Sequence, residues 1–247
     1  LHEVLDDQLP VEGSLVSIRP ETGEITAVVG GSGFASRNQN LRFIQSRRQP
    51  GSAFKPILYA SGIESSAGIR DPKKSLTAAT VLDDSPVQFV SEDLSEYSPE
   101  NFGSSYEGPI RLRKALTYSK NAVAVRVYER MGSRALNATA EKLLQLDEMN
   151  PQRHLPREAS VALGSYEVSP LEMARAFAVF ASNGREVHPF VISYITDPDG
   201  EIVLDNRPKQ AALERRQVIS PGTAEIITSM LRDVVRMGTG VGAALSG

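Results

Sequence analysis

Apolar and polar positions alternate with a period of two near the front of the chain, shift to helical spacing through its middle, and return to strand-like runs before a last helix. Two β-rich runs, LVSI and EITAVV, lie within residues 15–29 and are joined by Pro20-Glu21-Thr22-Gly23, so a β-hairpin is predicted there. Residues 30–48 are polar with brief apolar islands and read as a connecting loop. From Ser52 onward Phe54, Ile57, Leu58 and Ile63 follow helical spacing. Proline lacks the N–H and clashes inside a helix, so Pro56 must sit in a first turn, which places the helix start at about Ser52.

The stretch 71–102 is acidic and rich in Ser and Pro, which predicts a solvated surface excursion with a short strand at residues 87–90. Helical patterns follow at residues 110–118 and 122–131, interrupted by Ser119-Lys120-Asn121 and stopped by Gly132, and a third covers 134–146. Ser169-Pro170-Leu171-Glu172 sets Ser at the N-cap, Pro at the first helical position and Glu at the third, a full capping box, with Gly184 ending that helix. A second hairpin is expected from residues 191–196 and 201–204 across Asp197-Pro198-Asp199-Gly200. Ser220-Pro221 then opens a last helix to about Met237. There is no internal repeat. Strands at both ends around a helical middle predict an α+β fold with an antiparallel sheet and a separate helical part.

Composition narrows the chemistry. The 247 residues are 40% hydrophobic and 23% charged, enough for a real core in one large or two small domains. A formal net charge of -3 with scattered Lys and Arg leaves no electrostatic footprint for nucleic acid. Without cysteine, thiol catalysis, thiolate metal sites and disulfides are excluded. His2, His154 and His188 match no metal-ligand spacing and read as surface or loop residues. No run approaches the roughly 20 apolar residues that span a bilayer.

Two short patterns can carry a reaction. In Ser52-Ala53-Phe54-Lys55 a helical i to i+3 spacing stacks both side chains on one face, roughly 5 to 6 Å apart at Cβ. A serine hydroxyl needs a neighbour to take its proton, and a lysine serves when burial or a nearby cation lowers its pKa. Such a base contributes about 100-fold to 10,000-fold in rate. Free N–H groups at a helix start also meet a developing oxyanion, so both effects point to acyl transfer. The alternative is an N-cap serine followed by a surface lysine. Pro50-Gly51 before, Pro56 after and an apolar helix that carries the lysine inward favour the nucleophile. Ser119-Lys120-Asn121 falls between two helices, where a loop can aim Ser and Asn the same way. Ser36-Arg37-Asn38 matches equally well, and its polar loop and the order after Ser52 favour Ser119.

Together these motifs resemble the class A penicillin-binding proteins, the bifunctional peptidoglycan synthases of bacteria. RQPGSAFKP at 48–56 is similar to the family's nucleophile segment, and EGPIRLRKALTYSKNAVAVRV at 107–127 to its second motif region. ASVALGSYEVSPLEMARAFAVFASNG at 159–184 and VEGSLVSIRPETGEITAVVGG at 11–31 also resemble family segments. The resemblance implies the penicillin-binding protein and serine β-lactamase type of fold, with residues 1–10 a linker and 11–247 a partial transpeptidase domain. It implies that Ser52 attacks the D-Ala-D-Ala bond of a peptidoglycan stem peptide with Lys55 as base. Ser119 would relay protons to the leaving amine, and Asn121 would hold the donor amide and orient Lys55. β-Lactam antibiotics would acylate the same serine. No cofactor is implied, and the parent protein would be membrane-anchored, linked to a glycosyltransferase domain and active on the extracytoplasmic, periplasmic side of the bacterial inner membrane.

The family's third motif, Lys-Thr-Gly, should follow a glycine-rich segment such as Gly238-Thr239-Gly240, and it does not occur in the sequence. A chain truncated before that strand is therefore expected. Losing one oxyanion N–H donor costs on the order of 100-fold to 1,000-fold, which makes activity of the piece alone doubtful. A class A serine β-lactamase would also need Glu-x-x-Leu-Asn, which is absent. A D,D-carboxypeptidase, with water as acceptor, and a non-catalytic sensor or scaffold on the same fold are the remaining alternatives.

Overall fold

A computed structural model describes residues 12–32, 41–71, 73–90, 96–146 and 152–244. The expected linker at 1–10 and the Ser36-Arg37-Asn38 pattern lie outside the described residues. The chain opens with the predicted hairpin, β1 (Leu15–Ile18) antiparallel to β2 (Ile25–Val29). Gly23 makes its turn at φ +85°, a conformation that suits glycine. Within the predicted connecting loop a single helical turn, α1 (Arg42–Gln45), buries Phe43.

A 3-10 turn, Gly51–Phe54, runs directly into α2 (Lys55–Ser65). The helix start expected at Ser52 is thus tightened by one turn, with Pro56 in the first α-helical turn, where its missing N–H costs nothing. Every residue from Lys55 to Ile63 is buried. A helix apolar around nearly its whole circumference belongs in the interior, and α2 is the hub against which the helices at 121–144 and 221–237 pack.

Residues 71–102 depart from expectation. They hold β3 (Val81–Asp84) as well as the short pair β4 (Phe89–Val90) and β5 (Glu96–Tyr97), and β3 pairs antiparallel with β6 (Gly108–Arg111). The predicted strand at 87–90 is present in its second half, but the reading of the whole stretch as a solvated excursion is corrected at Asp84 and Asn101, both buried. Strand β6 also takes Ile110 and Arg111 from the predicted helix, leaving α3 (Leu112–Thr117).

The next helix, α4 (Asn121–Leu144), is broken at Gly132, whose φ of 77° and ψ of 162° are open only to glycine, so the two predicted helices meet at the predicted stop. Its apolar residues close over α2, burying Val123, Val127, Leu136 and Leu143. After a 3-10 turn at Ala159–Leu163, α5 (Pro170–Ala181) begins in the predicted capping box: Ser169 Oγ accepts from Glu172 N at 3.2 Å and Glu172 Oε2 accepts from Ser169 N at 2.7 Å. The second hairpin, β7 (Tyr194–Thr196) and β8 (Ile202–Asp205), stands exposed and is followed by a helix not expected from the pattern, α6 (Arg207–Ala212). The last helix, α7 (Pro221–Met237), has Ser220 as its cap and Met237 as its last residue. Glu64 at the end of α2 accepts from both Ser220 N and Ser220 Oγ, which fixes α7 against the hub.

The α+β class therefore holds, with the antiparallel pairing among the described residues distributed over four two-stranded ladders rather than one continuous sheet. Among the described residues no helix is long and apolar enough to cross a membrane.

Candidate active site

The segment that carries Ser52 is held by backbone on both sides. Arg48 exchanges both hydrogen bonds with Val168 at 3.0 Å, and Gly51 N donates to Gly164 O at 3.3 Å. Gly164 approaches so closely that a Cβ there would stand 2.2 Å from Gly51 O, and its φ of +76° excludes most side chains as well. The segment 159–168 thus clamps the turn that carries Ser52. In the 3-10 turn residues i and i+3 eclipse, so Ser52 and Lys55 lie one above the other, with Lys55 N donating to Ser52 O. Ser52 is exposed, whereas Lys55 is 0% exposed.

Ser119 closes α3 in the left-handed conformation, φ +55°, and Lys120 returns to extended backbone before α4 starts at Asn121. The corner aims Ser119 and Asn121 at the same point, as the loop placement predicted. Lys55 Nζ donates to Ser119 O at 2.6 Å, to Ser119 Oγ at 2.9 Å and to Asn121 Oδ1 at 2.6 Å. An ammonium has three N–H donors, and all three are used on the corner; among the described residues none goes to Ser52. Burial away from water lowers the Lys55 pKa to about 8.

A cleft of about 750 Å³ opens over these groups and is lined by Ser52, Ser119 and Asn121 together with Asn101, Phe102 and Thr239. Phe102 is fully exposed at its edge. All four residues singled out from sequence, Ser52, Lys55, Ser119 and Asn121, are brought together here. Asn38 and the other residues of the competing pattern lie outside the described residues.

The far side of the corner carries residues that sequence reading missed. Asn101 Oδ1 accepts from Asn121 N at 2.7 Å and from Ala122 N at 3.2 Å, so it caps α4 from a segment 20 positions upstream. Asn101 Nδ2 donates to Asp84 Oδ1 at 2.6 Å and to Ser105 O at 2.9 Å. Asp84, 0% exposed, uses its second oxygen on Lys120 Nζ at 3.0 Å and Glu107 N at 3.1 Å. Burial opposes the Lys120 charge, but hydrogen bonds to Asp84 and Glu107 outweigh it and hold the pKa above the usual lysine value. The local signal available was Asn101 within SPENF, a polar residue in an acidic run, which looks like any solvated loop until β3 brings Asp84 beside it.

Residues 13–247 match the penicillin-binding protein transpeptidase domain family. Penicillin-binding protein 1A of Neisseria gonorrhoeae is 37% identical over 239 residues, which is 96% of this chain and 28% of that protein. The crystal structure of penicillin-binding protein 1A from Haemophilus influenzae superposes with a TM-score of 0.80 at 28% identity, over 95% of this chain and 38% of that one. A Mycobacterium tuberculosis protein solved in complex with penicillin V shares the fold, with a TM-score of 0.72 at 21% identity over 95% of this chain and 59% of that one. The chain thus spans less than a third of the length of the curated relative it matches, and throughout that span it belongs to the penicillin-binding protein transpeptidase family.

Proposed function

We propose that this chain carries the acyl-transfer centre of a D,D-transpeptidase that cross-links peptidoglycan stem peptides. The observation that carries the reading is Lys55: a buried lysine with a lowered pKa, directly beneath an exposed serine and cradled by Ser119 and Asn121. Neutral Lys55 takes the proton of Ser52 Oγ as that oxygen forms a bond to the penultimate D-alanine carbonyl carbon. The C–N bond to the terminal D-alanine breaks, and the proton passes by way of Ser119 Oγ to the leaving amine. Asn121 holds the donor amide. An amine of a neighbouring strand then attacks the ester, restores the Ser52 hydroxyl and completes an amide. A β-lactam follows the first half of this path: its ring C–N bond opens, the amine stays tethered, and the ester on Ser52 persists.

The full-length protein is proposed to be anchored at the extracytoplasmic face of the bacterial inner membrane, with a glycosyltransferase domain alongside, as its resemblance to class A enzymes implies. Labelling the full-length protein with a fluorescent penicillin tests the centre. A covalent adduct that disappears in Ser52→Ala is expected. No adduct, or one that persists in Ser52→Ala, refutes the assignment. Steady β-lactam turnover points instead to a β-lactamase, and release of D-alanine without cross-linking to a carboxypeptidase.

A further inference from the structure

Behind the corner that cradles Lys55 lies a second, largely buried cluster, and its geometry assigns it a purpose. We infer that Asp84, Asn101 and Lys120 form a positioning network that locks Ser119 and Asn121 into the acceptor cradle of Lys55. The inference rests on the acyl-transfer reading above and names residues that act through the motif rather than on substrate.

Backbone bonds from Ser119 N to Leu116 O at 3.1 Å and from Lys120 N to Ala115 O at 2.9 Å, with Asn121 Nδ2 donating to Glu100 O at 2.6 Å, turn the corner, but they leave the start of α4 uncapped. Ser119 is a non-glycine residue at φ +55°, a conformation that costs of order 1 kcal/mol or more, and Lys120, the N-cap of α4, makes no side-chain cap bond. The first N–H groups of a helix have no intrahelical partner. Asn101 Oδ1 satisfies two of them, at Asn121 and Ala122, and thereby fixes the backbone from which the Asn121 side chain projects to Lys55. The Asn101 amide is oriented in turn, because its Nδ2 faces Asp84 Oδ1 and Ser105 O, both acceptors only. The middle residue of the motif completes the lock: Lys120 projects away from Lys55 and pairs with Asp84 at 3.0 Å and Glu107 at 3.2 Å. Ser119 and Asn121 face Lys55 while Lys120 between them is pinned from behind. Removing one partner of such a buried ionic cluster is costly because the other charge stays buried and unpaired.

Among the described residues, the titratable groups on the elements that form the corner and its cleft include Tyr59, one turn along α2 from Lys55, then Asp84, Lys120 and Glu107 behind the corner and Glu100 at the cleft wall. Loosening the corner admits water to Lys55, which weakens the desolvation that lowers its pKa.

Acylation of the full-length protein by a fluorescent penicillin, followed against pH, tests the network, with thermal unfolding as a parallel check on folding. Asn101→Ala is expected to slow acylation about 10-fold to 100-fold and to move the pH break from near 8 toward 10.5. Asn101→Ser, which keeps one cap acceptor but loses the donor to Asp84, gives the same readout should the alanine variant fail to fold. A break that stays near 8 in the folded single variants overturns the inference. Failure of the wild type to acylate would instead sink the acyl-transfer reading itself.

Discussion

The protonation of Lys55 gives the sharpest quantitative consequence of this site. At its ordinary pKa of 10.5 a lysine is neutral in roughly 1 molecule in 3,000 at pH 7, whereas at about 8 the neutral fraction is roughly 1 in 11, about 300-fold more base. The same lowering makes the ammonium form about 3 kcal/mol less favourable than in water. In the proposed mechanism the neutral amine is the reactive form, so acylation rises with pH below the pKa and flattens above it. Between pH 6 and 9 the rate constant for acylation by a penicillin should climb about 90-fold, with a bend near 8. Second-order acylation rates measured by stopped-flow or gel labelling report the free-enzyme value. Lys55→Arg, which cannot lose its proton, should abolish acylation while keeping a cation at the site. A profile that is flat from pH 6 to 9, or one that climbs as a straight line past 9 without bending, refutes the proposed role of Lys55.

Two further predictions concern the frame around the site. In Gly164→Ala the new Cβ would stand 2.2 Å from Gly51 O at a backbone φ of +76°, so urea unfolding should show a loss of at least about 2 kcal/mol; acylation should slow about tenfold as the Ser52 turn is displaced, and wild-type behaviour in both assays would mean the clamp is dispensable. Tyr59 is 0% exposed and its hydroxyl has no hydrogen-bond partner among the described residues, with burial and then the Asp84 charge pushing its pKa up. Tyr59→Phe should therefore leave stability unchanged or raise it by up to about 2 kcal/mol, and a loss above about 1 kcal/mol would show that the hydroxyl is satisfied in solution.

The hairpin at the front, the break at Gly132, the capping box at Ser169 and the last helix from Ser220 to Met237 were legible because each depends on local properties: side-chain period, glycine at positive φ, or a cap within three residues of its target. The proline rule placed the turn that carries Ser52 in the same way. Sequence spacing also put Ser52 near Lys55 and Ser119 near Asn121. What it did not contain was that these two pairs meet, since that contact joins residues 64 and 66 positions apart and exists only because α4 packs on α2. The largest misreading, residues 71–102 as a solvated excursion, has the same origin. Asp84 and Asn101 are polar residues in an acidic run, and only the pairing of β3 with β6 draws them inside, where they exchange water for each other, for Lys120 and for the first N–H groups of α4. The sequence by itself determined the elements whose signals are local and the residue types able to transfer an acyl group. Tertiary structure alone decided the burial of Lys55, because desolvation is set by everything that surrounds a side chain and by nothing in its own spacing along the chain.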